Sequence, residues 1–216
     1  MKIIPAINCK DFKCVKERFL IAQSFLPKNG WIQIDVGDGK FTKAKTWNNP
    51  TQLKNLQPTT YNQRFNIEIH LMAENPEKHI KKWLEARADR VIFHLEAIKN
   101  NLQPTVYDLQ QKKIGIAIKP ETDIECILPL LNKIKFVQLL AVKPGFSGQR
   151  FDKRILRKIK IIKKKYPKVT VEIDGGINEK IAQTVKKAGA DIAVAGSYIF
   201  ESKNPKESYK ILKELE

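Results

Sequence analysis

A closed (β/α)8 barrel is the fold this sequence predicts, on three observations. Eight short β-rich apolar runs alternate with amphipathic helical runs along 216 residues. No long linker, low-complexity stretch or composition break divides the chain, so residues 1–216 are expected to form one domain with a sizeable core. No GxGxxG opens the first helix, and the count of βα units is eight, which disfavours an open doubly wound sheet.

The expected strands are IIPAI, WIQIDV, FNIEIHLM, RVIFHLE, IGIAIK, FVQLLAV, VTVEID and DIAVAG. Their centres are runs or alternations of Ile, Val, Phe and Leu, as parallel strands covered by helices require. Helices are expected at about 11–26, 50–57, 76–87, 100–112, 123–134, 151–165, 179–188 and 205–215. Asp11 is placed to start the first. Pro76 and Pro205 stand where a first turn tolerates a missing N–H, and Gly189 is a plausible stop.

Composition narrows the classes. The hydrophobic fraction is 42%, ordinary for a globular chain, and no apolar run is long enough to cross a bilayer. The N-terminus lacks the pattern of a cleaved signal, so a cytoplasmic protein without membrane attachment is expected. Cys9, Cys14 and Cys126 are odd in number and without CxxC spacing, which argues against a disulfide framework and against a thiolate zinc site. Cys9 reads as a small semi-buried residue before it reads as a nucleophile. The formal charge of +17 invites a nucleic-acid reading. In RFDKRILRKIKIIKKKYP, however, Ile155, Leu156, Ile159 and Ile162 recur at helical spacing. There Lys153, Lys158, Lys160, Lys163 and Lys164 occupy the rest of the turn, as on a solvated face. With the excess spread over many such helices, no nucleic acid is expected, and the field instead favours small anions.

In such barrels the chemistry lies at the C-terminal ends of the strands. Asp35 ends the second strand, His70 the third and Asp174 the seventh. Strands two and seven lie three steps apart around an eight-strand ring, so their acids can approach one cavity from different sides, as a general base and acid. His70 points inward if Ile67 and Ile69 face the helices, and is then a candidate metal ligand or substrate contact. His94 is ambiguous, and His79 falls on a surface helix. Gly145, Phe146, Ser147 and Gly148 follow strand six, Gly175 and Gly176 strand seven, and Gly196 and Ser197 strand eight. Three Gly-rich loops on one face, before helical segments, suit a phosphate. As tight turns alone they need no ligand.

The segments PAIN, WIQIDVGDGKF, HLM with NPE, FHLEA, GIAIKPET, VKPGFSGQRF, EIDGGIN and VAGSYIF, in this order over about residues 5–205, resemble the ribulose-phosphate 3-epimerase family. The resemblance implies a TIM barrel of the ribulose-phosphate-binding type. It also implies C3 epimerisation of a ketose phosphate, D-ribulose 5-phosphate to D-xylulose 5-phosphate, with Asp35 and Asp174 as the two proton carriers. It implies phosphate contacts at Gly145 to Gly148, Gly175, Gly176, Gly196 and Ser197, a small phosphorylated sugar as partner, and a homo-oligomer. A divalent metal such as Zn, Fe, Mn or Co is implied on Asp35, His70 and Asp174, but the family's fourth ligand, a His, is Gln33 here. Ala6 stands for a Ser, and Gly37 and Leu140 stand for Met residues. These departures keep two alternatives open: an epimerase or isomerase of another ketose phosphate, and a catalytically degenerate phosphosugar-binding protein.

Overall fold

The computed structural model describes residues 1–56, 64–98, 113–146 and 148–216. Eight parallel strands close into a barrel in sequence order. They are β1 (Lys2–Ile7), β2 (Trp31–Gly37), β3 (Asn66–Met72), β4 (Arg90–His94), β5 (Ile114–Ile118), β6 (Phe136–Leu140), β7 (Thr170–Asp174) and β8 (Ile192–Ala195). The ring shuts where β1 pairs with β8, Ile4 opposite Val194. All eight expected strands are present.

The helices are α1 (Phe12–Gln23), α2 (Pro50–Leu53), α3 (Glu77–Glu85), α4 (Arg154–Lys165), α5 (Glu179–Ala188), α6 (Ser197–Phe200) and α7 (Pro205–Lys213). Local signals set their ends. Asp11 accepts from the Cys14 amide at the start of α1, and Asn178 does the same for Ile181 at the start of α5. Gly189 ends α5 at φ +104, in the left-handed region that glycine reaches without a Cβ penalty. The helix expected over 100–112 lies outside the described residues, as does the end of the one expected over 50–57. The helix expected over 123–134 is corrected: that stretch forms two 3-10 turns, Ile124–Cys126 and Leu128–Leu130. Pro129 removes an amide and crowds the preceding turn, so an α-helix cannot run through it.

Strand alternation divides the side chains. Ile32, Ile34, Ile67, Ile69, Val171 and Ile173 point outward into the main core beneath the helices. Ile4, Ala6, Ile92, Ala117, Phe136, Ile192 and Val194 form a smaller apolar cluster inside the barrel. The rest of the interior is polar: Gln33, Glu68, Gln138 and Glu172 are each 0% exposed. Among the described residues no helix is long and apolar enough to cross a membrane.

Two further expectations are corrected. Cys9 and Cys14 form a disulfide, with Cα atoms 5.8 Å apart, while Cys126 is free and exposed. After β1 the chain turns through Asp11 directly into α1, which brings the first turn of the helix back over Cys9; an odd cysteine count carries no trace of that local return. Lys158 is not on a solvated face but buried along with Ile155, Ile159 and Ile162. Its ammonium donates to the carbonyls of Lys119, Pro120 and Thr122 at the end of β5. A long cationic chain can cross an apolar surface when its head finds acceptors beyond it.

Lys158→Met should therefore leave three carbonyls short of a donor while keeping the aliphatic packing. A loss of about 1–3 kcal/mol of stability is expected, read by denaturant unfolding against the wild type.

Candidate active site

The C-terminal mouth of the barrel opens into a cleft with about 590 Å³ of empty space, part of it open to solvent. Asp35, His70 and Asp174 stand on its floor. Register brings them there: Asp35 pairs with His70 between β2 and β3, and Leu140 with Asp174 between β6 and β7. Met72, Leu140, Ala6 and Val194 line the walls, and the loop glycines Gly145, Gly148, Gly175, Gly176 and Gly196, with Phe146 and Ser197, line the rim. Ser147 lies outside the described residues. Every other residue singled out for the site borders this cleft except Gln33, which lies beneath the two acids, and Gly37.

Gly37 serves the backbone around it rather than the cleft. A Cβ there would come within 2.6 Å of the Ala44 carbonyl, so its role is to let the loop after β2 fold back. That loop crosses the mouth to the loop after β6. Thr42 Oγ1 donates to the Pro144 carbonyl at 2.8 Å, and Thr46 Oγ1 donates to the Asp35 carbonyl at 2.8 Å. Gly145, at φ +111, is required by the same crossing, because a Cβ would lie 2.0 Å from Thr42 Oγ1.

The two acids are tied together by one amide. Gln33 Nε2 donates to Asp35 Oδ1 and to Asp174 Oδ2, each at 2.8 Å. Its oxygen faces the other way and accepts from Gln138 Nε2 at 2.9 Å. Gln138 spends its second N–H on Glu172 Oε1 at 3.0 Å. Below it Glu172 lies beside Glu68, and Arg90 Nη1 donates to Glu68 Oε2 at 2.7 Å. Burial pushes both Glu carboxyls up, and one oxygen of each has no donor, the mark of a carboxyl pair sharing a proton. Asn8 adds a donor from β1's end: its Nδ2 lies 3.1 Å from Asp35 Oδ2.

His70 approaches the same acids with Nδ1, 3.1 Å from Asp174 Oδ2 and 3.4 Å from Asp35 Oδ1, off the line of a well-formed hydrogen bond. Its Nε2 lies 2.9 Å from Nε2 of His94, whose Nδ1 lies 3.2 Å from Glu96 Oε2. Glu96 also accepts from the Lys119 amide and the Thr122 hydroxyl. Burial pushes His94 down, to about 4, against the pull of Glu96. Burial also opposes ionisation of Glu96, yet its donors, His94 first, bring it down to about 2. The network thus assigns His94 as a neutral ring with its proton on Nδ1, so Nε2 accepts from His70. Burial would lower His70, but the Asp174 and Asp35 carboxylates outweigh it and raise it to about 9. Asp174 is pushed up, by burial first, and then by Asp35, against the hydrogen bonds of His70 and Gln33.

Asp35, His70 and Asp174 offer one ligand atom each within 4.8 Å and could hold a metal ion. The position of the fourth expected ligand does not fit one. An N–H group stands there, directed at the very carboxylate oxygens a cation needs. Sequence reasoning missed Asn8, Gln138, Arg18 and Lys143, which also border or support the cleft. Gln138 was readable only as an odd polar residue inside the apolar run FVQLL.

Fold and site together define a barrel enzyme with paired acids at the strand ends. The family described as the ribulose-phosphate 3 epimerase family matches residues 2–200. The chain is 31% identical over 208 residues to ribulose-phosphate 3-epimerase of Schizosaccharomyces pombe, covering 95% of this chain and 90% of that one. It is 33% identical to ribulose-phosphate 3-epimerase of Aquifex aeolicus over 224 residues, covering 100% and 97%. Among solved structures, 3-hexulose-6-phosphate synthase superposes with a TM-score of 0.69 at 17% identity, covering 100% of this chain and 99% of that one, a likeness of fold alone. The chain belongs to the ribulose-phosphate 3-epimerase family and is an isomerase-class enzyme.

His94 sets an acid limit to this site. Its folded value lies below the ordinary imidazole value of 6.5, so the unfolded chain binds the extra proton first, and stability falls as pH drops from about 6.5 to about 4. Thermal melts across that window should show a steeper acid loss for the wild type than for His94→Gln.

Proposed function

We propose that the protein epimerises a pentulose phosphate at C3, interconverting D-ribulose 5-phosphate and D-xylulose 5-phosphate, with Asp35 and Asp174 as the two proton carriers. The observation that carries this reading is the meeting of both acids on the floor of one cleft rimmed by Gly145, Phe146 and Gly148, by Gly175 and Gly176, and by Gly196 and Ser197. Membership of the family supplies the reaction class and the pentulose phosphate.

The C3 hydrogen of a ketose is acidified by the adjacent C2 carbonyl. One aspartate removes it from one face, and the other returns a proton to the opposite face; which one acts first depends on the direction of reaction. The intermediate carries new negative charge on the C2 oxygen. The Asn8 amide borders the cleft beside Asp35, and the raised His70 supplies positive charge at neutral pH. The phosphate belongs at the rim, where backbone amides at Gly176 and Gly196 can come close to an anion because no side chain intervenes. Leu140, Met72 and Val142 form the dry wall against the sugar carbons.

Asp35→Asn and Asp174→Asn should each lower C3 exchange by about 10²–10⁴-fold or more. The assay follows solvent deuterium entering C3 of ribulose 5-phosphate by NMR. Both variants should keep the thermal stabilisation that the phosphosugar confers on the wild type, since neither lies at the rim. Turnover retained by either variant would remove it from the proton-carrying pair. Stabilisation without any turnover by the wild type would mark a binding protein instead.

A further inference from the structure

We propose that an amide takes the place of a metal ion in this active site: Gln33, clamped by Gln138, is the positioning residue that ties Asp35 to Asp174, and turnover proceeds without a divalent cation. The proposal rests on the epimerase reading above. It starts from the direction of one side chain. Gln33 is 0% exposed, and its nitrogen lies 2.8 Å from an oxygen of each acid.

Offering its oxygen to a cation would require this amide to turn over. The turn would set its NH2 group against the NH2 group of Gln138, now 2.9 Å from the Gln33 oxygen. Turning Gln138 as well would carry that residue's oxygen to Glu172 Oε1, which Gln138 now serves as a donor at 3.0 Å. The orientation is therefore held by Gln138 and Glu172 together with Gln33, with Gln138 Oε1 the one amide atom of the two glutamines left without a partner. Asn8 acts in the same sense from the other side of Asp35: with Nδ2 at 3.1 Å from Oδ2, each oxygen of Asp35 has an amide donor.

A cation between the acids draws both carboxylates to a fixed separation and neutralises them. An NH2 group with two hydrogens does the first task by hydrogen bonding, at neutral charge. The difference has observable consequences. A site built this way gains nothing from added metal and loses nothing to a chelator. It also becomes a metal site when the clamp is removed, because three ligand atoms are already in place.

Two measurements test this on the purified full-length chain. Isothermal calorimetry with Zn²⁺, Co²⁺ and Mn²⁺ should show no stoichiometric site in the wild type, and a new one in Gln33→His. Gln138→Met, which keeps volume but frees the Gln33 amide to turn, should also gain metal affinity, with kcat lowered and KM for ribulose 5-phosphate little changed. Deuterium exchange at C3 should be the same, within about twofold, before and after exhaustive EDTA treatment. One tightly bound equivalent of metal in the wild type overturns the proposal, as does turnover lost to EDTA and restored by a divalent ion. Gln138→Met behaving as wild type in both binding and kcat overturns the clamp. Absence of exchange with or without metal overturns the epimerase reading, and the calorimetry then still decides the amide clamp by itself.

Discussion

The closure of the barrel forces two carboxylates and an imidazole into one buried spot, and the surrounding interior is arranged around that fact. Asp35 and Asp174 come from strands three places apart in the ring, yet their oxygens lie within 4.8 Å of the same His70 nitrogen and of each other. Two full negative charges at that range repel by on the order of 3 kcal/mol at an effective dielectric of 20. Something must offset this, or one acid must keep its proton. The molecule does it by sharing: a donor amide between the acids, a second amide on Asp35, and a ring whose affinity for a proton the acids themselves raise. Asp174 is still pushed up, by burial first and by the Asp35 charge after it.

The polar groups around the site are ordered by hydrogen-bond direction. Lys158 on α4 binds the carbonyls after β5; that loop gives the Lys119 amide and the Thr122 hydroxyl to Glu96; and Glu96 fixes the proton of His94. With that proton on Nδ1, His94 can only accept at Nε2, so His70 must donate there and turn Nδ1 toward the acids. A lysine on an outer helix thus bears on which nitrogen of His70 faces the two acids, through contacts that are each local.

Much of this was legible in the residue string, and the reason is geometric. A parallel barrel makes period-two alternation within each strand and the strand-end rule dependable, so FNIEIHLM alone put His70 inside and Ile69 outside, as found. Asp35 and Asp174 followed from the same rule. What escaped has no periodic signature. Lys158 has the same charge as its exposed neighbours on α4, and only the position of the carbonyls after β5 distinguishes it. The Cys9–Cys14 bond depends on how tightly the chain turns at Asp11. The failure at 123–134 is different in kind, since Pro129 was visible and outweighed the apolar spacing around it. The part played by Gly37 could not be read from the residue string, because an absent side chain can serve a cavity or a neighbouring backbone, and only the Ala44 carbonyl says which.

Gln33 shows why a ligand substitution is best judged together with what lies behind it. Taken alone, an amide in place of an imidazole is an ambiguous change, since one end of the group offers a lone pair and the other offers hydrogens. The end that faces the acids is decided a layer deeper, by Gln138 and by the carboxyl pair of Glu172 and Glu68 under Arg90. That pair leaves Glu172 Oε1 free to accept, which makes Gln138 a donor on both sides, which makes the Gln33 oxygen an acceptor and its nitrogen the group beneath the two acids. The character of the cleft floor is thus set by the barrel interior two layers below it.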